Sequence, residues 1–375
     1  MKRFCATAVF FAAMLSGCGS VIRREFLDNG ARDFDFRAPN CSTDATARSA
    51  PIEVRYLGSG GFSIRWGGDA LLLGPYFSNA GGLWRAQFGR LAFDERRIAG
   101  GMRNIDAERV LAVALGHSHF DHIGDLPILL RDYIGGATVY TNREGGAMLA
   151  AYAATLHPRV VAVEPLVNQW ISVRRKDGTA SSIRLMPLSS DHAPQLCSRR
   201  SWPCTYAACE LHQPWTTPWT AHRMRRLCGG GTFAYLIDLL NPNGSVAFRL
   251  YYNDAAPGTD LTLPLSVATE HAVDVAIICM ASYDLVEKYP ERLLATLKPR
   301  HIVISHYEDF FAKSDGSWSF VPLMSNRKAN RFMARLKAAT EGDSIAWKPP
   351  INAVCGPMTR RWSMPVPQSA LYFNP

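Results

Sequence analysis

The sequence predicts an α/β fold on three observations. Short apolar runs at 109–115, 181–188, 246–252 and 301–305 each end in a polar loop that carries histidine or aspartate. Open α/β sheets place their chemistry at such strand ends. Stretches at 123–133, 144–155, 285–297 and 326–339 read as helices interleaved with those runs. Finally, 47% of the 375 residues are hydrophobic, enough for a substantial core, and no Ser/Pro-rich or charge-rich linker divides the chain. One large domain, 51–375, is expected. No internal repeat is visible in the sequence.

In chain order, Lys2 and Arg3 precede the apolar run 4–15, and Leu15-Ser16-Gly17-Cys18 follows. A charged start, a short apolar core and small residues before a cut describe a secretory signal, here residues 1–17. The Leu-Ser-Gly-Cys ending resembles a bacterial lipobox, which implies lipidation of Cys18. An ordinary signal with an incidental cysteine is the alternative. Two or more acyl chains hold a protein stably on a bilayer. Gly19 is not the Asp that marks inner-membrane retention in enterobacterial lipoproteins, so by that analogy the bacterial envelope address is the periplasmic face of the outer membrane. Residues 18–50 then form a polar tether. No second apolar stretch approaches the roughly 20 residues a spanning helix needs.

The domain opens with two short alternating runs around Gly58-Ser59-Gly60-Gly61, a hairpin signal over 52–65. Residues 70–78 read as the next strand and its loop. Helix 326–339 alternates basic and apolar residues, and Arg331, Arg335 and Lys337 read as its solvated face. Export permits disulfides. Cys279 sits in an apolar strand, where free buried cysteine is common. Cys41, Cys197, Cys204, Cys209, Cys228 and Cys355 remain as an even set, four of them in a Trp- and Arg-rich insertion at 195–230. Disulfides clamping that insertion are expected, with Cys41 to Cys355 as one guess at connectivity. Zinc held by the four cysteines is the alternative, and no paired Cys-X₂-Cys spacing supports it.

The most informative stretch is His117-Ser118-His119-Phe120-Asp121-His122, four metal-competent side chains in six residues directly after an apolar strand. Imidazole and carboxylate are the side chains that hold Zn²⁺ or a similar divalent ion. Such a run has few structural uses, because each imidazole loses hydration and gains only one or two hydrogen bonds.

The pattern His-X-His-X-Asp-His resembles the signature of the metallo-β-lactamase-fold hydrolases. That resemblance, over roughly Pro51 to Phe311, implies an αββα sandwich of two mixed β-sheets flanked by helices. It also implies three further ligands at later strand ends, and His192, Asp254 and His306 stand there in order. By likeness one metal takes His117, His119 and His192, a second takes Asp121, His122 and His306, and Asp254 bridges them. Asp121 is the implied proton shuttle. The branch most similar holds ascorbate-phosphate lactonase and N-acyl-phosphatidylethanolamine phospholipase D. Two departures stand out: the aspartate that family members carry after the third strand is Gly74 here, and their Gly-Asp-Thr is Asn253-Asp254-Ala255.

The implied cofactors are two divalent metal ions, Zn first and Mn or Fe next. Two such ions about 3.5–4 Å apart supply a metal-bound hydroxide near neutrality, which attacks carbonyl carbon or phosphorus. A phosphodiester or phospholipid substrate is expected, ahead of lactone, ester or amide cleavage. A non-catalytic envelope lipoprotein is the reading from another class. No Gly-X-Ser-X-Gly elbow or Walker loop is present, and Gly58-Ser59-Gly60-Gly61 lacks the Lys-Ser/Thr of a phosphate loop. The formal charge of +9 favours anionic surroundings such as phospholipid headgroups or phosphorylated small molecules. Expected partners are thus the membrane, through the lipid anchor, and a small-molecule or lipid substrate, with no nucleic acid. The sequence carries no signal for an oligomeric state.

Overall fold

The structure is a computed structural model that describes residues 52–79, 81–82, 93–150, 152, 159–194, 230–311, 319–322, 324–341, 362–365, 367–373 and 375. The expectations for the signal segment, Cys18, the tether and the six paired-cysteine candidates concern residues outside that set. So does the insertion, all but its last residue, Gly230. Among the described residues the one cysteine is Cys279, buried and free. No helix there is long and apolar enough to cross a membrane.

The first sheet is built from β1 (Ile52–Gly58), β2 (Gly61–Trp66), β3 (Asp69–Leu73), β4 (Val110–Ala114), β5 (Thr138–Thr141) and β6 (Arg159–Ala162). The second contains β7 (Ile171–Arg174), β8 (Ala180–Ser190), β9 (Thr232–Leu240), β10 (Val246–Tyr252), β11 (Val275–Cys279), β12 (His301–Ser305) and β13 (Trp362–Ser363). The last strand, β14 (Ala370–Phe373), returns to the first sheet beside β1. Two mixed β-sheets flanked by helices result.

Both sheets repeat one pattern. In the order β14-β1-β2-β3-β4-β5-β6 the first three pairings are antiparallel and the last three parallel. The order β7-β8-β9-β10-β11-β12-β13 does the same. The duplication that the sequence hides is plain in the topology. It makes β1, β3, β4 and β5 point one way in their sheet, and β8, β10, β11 and β12 one way in theirs. Their carboxyl ends therefore open onto common edges.

The parallel strands are continuous apolar runs because both their faces are covered. In β4, Ala112 and Ala114 pack in the core shared with the other sheet, while Val113 and neighbouring Leu115 pack under the outer helices. The β1–β2 hairpin turns through Ser59 and Gly60, both with positive φ (51° and 75°), as a two-residue turn of matching twist requires. Across the sheets, Asp69 at the start of β3 accepts two bonds from the Arg175 guanidinium (2.9 and 2.7 Å) and one each from the Ser182 amide and hydroxyl (2.8 Å both).

The helices depart from their expected bounds for local reasons. The stretch 123–133 is two helices, Phe120–Ile123 and Leu126–Asp132. Pro127 lacks an N–H and suits a first turn, so it starts a helix rather than continuing one. Pro290 acts likewise: 285–297 becomes a single turn Tyr283–Leu285 followed by Glu291–Leu297. The helix expected at 144–155 is described as Arg143–Ala150, and the last one runs Asn326–Glu341. On that last helix Arg331 and Lys337 are exposed, while Arg335 forks onto Glu291 (2.6 and 2.7 Å).

Asp125, between the two short helices, is fully buried and its Oδ2 accepts from the amides of Phe77 (2.6 Å) and Ser78 (2.8 Å). It pins the loop after β3 to the helical layer. Burial outweighs these bonds and pushes its carboxyl from the ordinary 3.8 up to about 6. Keeping it ionised at neutral pH costs roughly 3 kcal/mol. Because the folded value is the higher one, Asp125 contributes stability below about pH 4 that is lost as pH rises through about 6. Asp125→Asn keeps an acceptor for the same amides. Subtracting its denaturant-unfolding free energy from that of the native chain should leave a difference that changes between pH 4 and 6; a flat difference counts against a buried acid there.

Candidate metal centre

Each predicted ligand follows the carboxyl end of a strand. The chain leaves β4 through a bend at Gly116 and His117, His119 is extended at φ −65° and ψ 155°, and the helical turn Phe120–Ile123 then brings Asp121 and His122 into the same cluster. His192 stands two residues past β8, Asp254 two past β10 and His306 directly after β12. His306 holds a left-handed φ of 56°, a conformation that histidine visits more readily than most residues.

The structure brings all seven together. Their candidate ligand atoms form three overlapping sets, each within 4.8 Å: His117, His119 and His192; His117, His122 and Asp254; Asp121, His122 and His306. Asp254 thus lies between the two outer sets. The rings of His117, His119 and His192 meet edge to face, with centroids 4.5 to 5.0 Å apart.

Hydrogen bonds fix the tautomers. His192 Nδ1 donates to the Ala193 carbonyl (2.8 Å), which puts the ring's lone pair on Nε2. His117 Nδ1 lies 3.0 Å from Asp254 Oδ1, while its Nε2 is buried without a hydrogen-bond partner among the described residues. Both ring nitrogens of His122 and Nδ1 of His306 are orphaned in the same way. Buried polar atoms are rarely left unpaired in a native protein, so each such atom calls for an explanation. A cluster of orphaned imidazole nitrogens converging with two carboxylates fits a divalent ion.

The electrostatics agree. Burial pushes His117, His119 and His192 below the ordinary histidine value, reinforced at His117 by His192 and at His119 by His117. Burial also brings His122 down to about 4, although Asp121 and Asp254 oppose it. These rings are neutral at physiological pH, the form that ligates metal. Burial alone would raise Asp121, but His122 and the hydrogen-bonded His306 outweigh it and hold the carboxyl well below its usual range. His306 goes the other way: burial lowers it, and its bond to Asp121 Oδ2 (3.3 Å) more than compensates.

Several supporting residues were not singled out by sequence. Gly116 is obligatory, because a Cβ there would fall 2.2 Å from Asp254 Oδ1; its amide instead donates to Asp254 Oδ2 (3.2 Å). From β9, the Phe233 amide bonds the Gly116 carbonyl (2.7 Å) and Tyr235 OH bonds the Leu115 carbonyl (2.9 Å). Ser118 donates to Asn142 Oδ1. Ser59 Oγ donates to Asp121 Oδ2 (3.4 Å), and buried Glu308 accepts from the Ser59 amide and the Tyr56 hydroxyl. Tyr252 OH reaches Asp254 Oδ2 (3.3 Å). Half-buried Phe310 covers His306 with centroids 4.8 Å apart, and Phe311 stacks beside it at 4.2 Å. The one available signal was position: Ser59 lies in the glycine-rich turn and Glu308 two residues after His306.

No protein-family model matches the sequence, and no curated protein matches it. Among solved structures the chain is similar to Igni18, a metallo hydrolase from the archaeon Ignicoccus hospitalis, at a TM-score of 0.48 and 12% identity, over 87% of this chain and 99% of that one. It is similar to YhfI, a metallo-β-lactamase fold protein from Bacillus subtilis, at a TM-score of 0.45 and 12% identity, over 86% and 100%. It is also similar to an isothiocyanate hydrolase from Delia radicum gut bacteria, at a TM-score of 0.47 and 12% identity, over 86% and 100%. At such identities the chemistry of this chain has to come from its own side chains.

Proposed function

We propose that the chain is a metal-dependent hydrolase of the metallo-β-lactamase fold, holding two divalent ions, zinc first, and cleaving a phosphodiester or phospholipid. The observation that carries the reading is the convergence of five imidazoles and two carboxylates, with ring nitrogens of His117, His122 and His306 buried and unpartnered. Bound divalent ions would supply Lewis acidity at the substrate oxygen and bring the pKa of water toward neutrality. The residues around them orient and move protons. Asp254 fixes the His117 ring, and the Ala193 carbonyl fixes that of His192. Asp121 is ionised, with Oδ2 held between Ser59 and His306, and in this reading it accepts a proton from the attacking water and returns it to the leaving group. Phe310 and Phe311 offer an apolar contact beside His306, suited to the acyl part of a lipid. The formal charge of +9 suits an anionic headgroup. Lipid anchoring through Cys18, at the periplasmic face of the outer membrane, would bring that substrate within reach.

The test is zinc content and turnover on one sample of the full chain in detergent, offered bis(p-nitrophenyl) phosphate, phospholipid vesicles and simple lactones. Two zinc ions and phosphodiester turnover are expected, with both zinc content and turnover reduced in His119→Ala. Asp121→Asn should lower kcat by roughly 10²–10⁴. Turnover of lactones alone would move the substrate class while keeping the hydrolase; a chain that binds neither zinc, manganese nor iron would end the reading.

Acidification should release the ions unequally. His117, His119 and His192 are held below the ordinary histidine value, whereas His306 is held above it and so keeps a competing proton to higher pH. Zinc in the set of Asp121, His122 and His306 should therefore leave first as pH falls through the histidine range. A chromophoric chelator read across pH is expected to show two steps, and a single step for both ions contradicts the asymmetry.

A further inference from the structure

Gly74 directly follows β3, and its amide is tied into the sheet through the Ala114 carbonyl (3.0 Å). Its φ of 45° lies in the left-handed region, which Asp and Asn also visit. A Cβ at this position would point into the metal centre, 3.0 Å from His122 Nδ1 and 3.0 Å from the Tyr252 hydroxyl. The space is narrow because Tyr252 already claims it. Its ring rises from the end of β10, fully buried and edge-on to Phe62 (6.3 Å), and its hydroxyl reaches the Gly60 carbonyl (3.0 Å) and Asp254 Oδ2 (3.3 Å).

We propose that Tyr252 is a positioning residue of the metal centre, and that position 74 is glycine in order to admit it. The phenol comes from the second sheet into a place that a side chain of the first sheet would otherwise occupy. One hydroxyl then joins the Ser59–Gly60 hairpin turn to Asp254, the carboxylate between the two outer ligand sets. A neutral phenol stands where residue 74 could have offered a carboxylate, so Asp121 and Asp254 remain the two anionic groups in the ligand set. Positions 74 and 252 are therefore coupled: a side chain at 74 has to share its space with the hydroxyl at 252 as well as with His122, and removing the hydroxyl relieves one of those two contacts.

This inference rests on the metal-binding reading, and its test separates the two. Zinc affinity is measured by chelator competition on the full chain in detergent for the native protein, Tyr252→Phe, Gly74→Asp and the double variant. Groups that orient metal ligands typically change affinity 10–100-fold when removed. Tyr252→Phe should weaken at least one zinc by about tenfold on that basis. Gly74→Asp should weaken binding too, since its side chain would meet the hydroxyl. The double variant should bind more tightly than either single variant, because the new carboxylate can face His122 Nδ1 in the vacated space. A merely structural tyrosine would give no such rescue. Native-like affinity in Tyr252→Phe, or losses that add in the double variant, would overturn the coupling. If Tyr252→Phe does not fold, the double variant against Gly74→Asp decides: tighter binding supports the proposal, and equal or weaker binding overturns it. A native chain that binds neither zinc, manganese nor iron overturns both this role and the hydrolase reading.

Discussion

The contact between Asp254 and the Gly116–His117 peptide is the constraint on which the site depends. Asp254 belongs to the second sheet and Gly116 to the first. Its carboxylate takes the Gly116 amide on one oxygen and faces His117 Nδ1 with the other. Any side chain at 116 would displace it, since even a Cβ would sit 2.2 Å from Oδ1. A buried carboxylate is expensive unless it is fully hydrogen-bonded or paired, so this contact aligns the two sheets at their carboxyl edges. Once they are aligned, the loops after β4, β8, β10 and β12 have little choice but to converge.

Much of that convergence is legible in the sequence, and the reason is physical. A parallel strand covered on both faces must be apolar throughout, so β4 and β12 announce themselves as runs. A polar residue that ends such a run marks the exit from the core, which is why His117, Asp254 and His306 could be placed at strand ends. The helices were legible only in part: four were expected, and the described residues hold seven, with Glu95–Met102 and Leu265–Glu270 unforeseen. Pro127 and Pro290 shift their starts through a missing N–H, an effect that periodicity alone does not weigh. The duplicated sheet left no trace, because core positions ask only for apolar side chains of suitable volume. Equivalent strands such as β3 and β10 can diverge in sequence while keeping direction and pairing.

What remained hidden are the residues that act through others. Ser59, Tyr252 and Glu308 carry no pattern, since their value lies in partners up to 252 positions away, as for the bond from the Tyr56 hydroxyl to Glu308. Their types are ordinary in their elements: a serine in a turn, a tyrosine in a strand, a glutamate in a loop. A one-dimensional reading detects candidate ligands because several imidazoles crowded together are costly to bury without a purpose. It misses supports because a single hydrogen-bonding residue is not.

Those supports share a logic that the duplicated sheets make possible. Glu308 follows β12 as Asp254 follows β10, and both carboxylates cross to the first sheet to accept a backbone amide, from Ser59 and Gly116 respectively. The seam between the sheets is thus closed twice by the same bond type, side-chain anion to main-chain N–H. The Glu308 closure joins residues held at positive φ: Ser59 at 51° and Gly60 at 75° on the first-sheet side, His306 at 56° on the second. Such backbone persists only where its surroundings over-determine it. Here Glu308 holds the hairpin turn, and the Tyr56 hydroxyl, itself bonded to Glu308, accepts the His306 amide (3.1 Å). Ser59 is thereby set to place its hydroxyl on Asp121, so the ligand loop of the first sheet is oriented by a carboxylate that belongs to the second. Neither half of the duplicated architecture can assemble the cluster alone, because each supplies groups that position the other's candidate ligands.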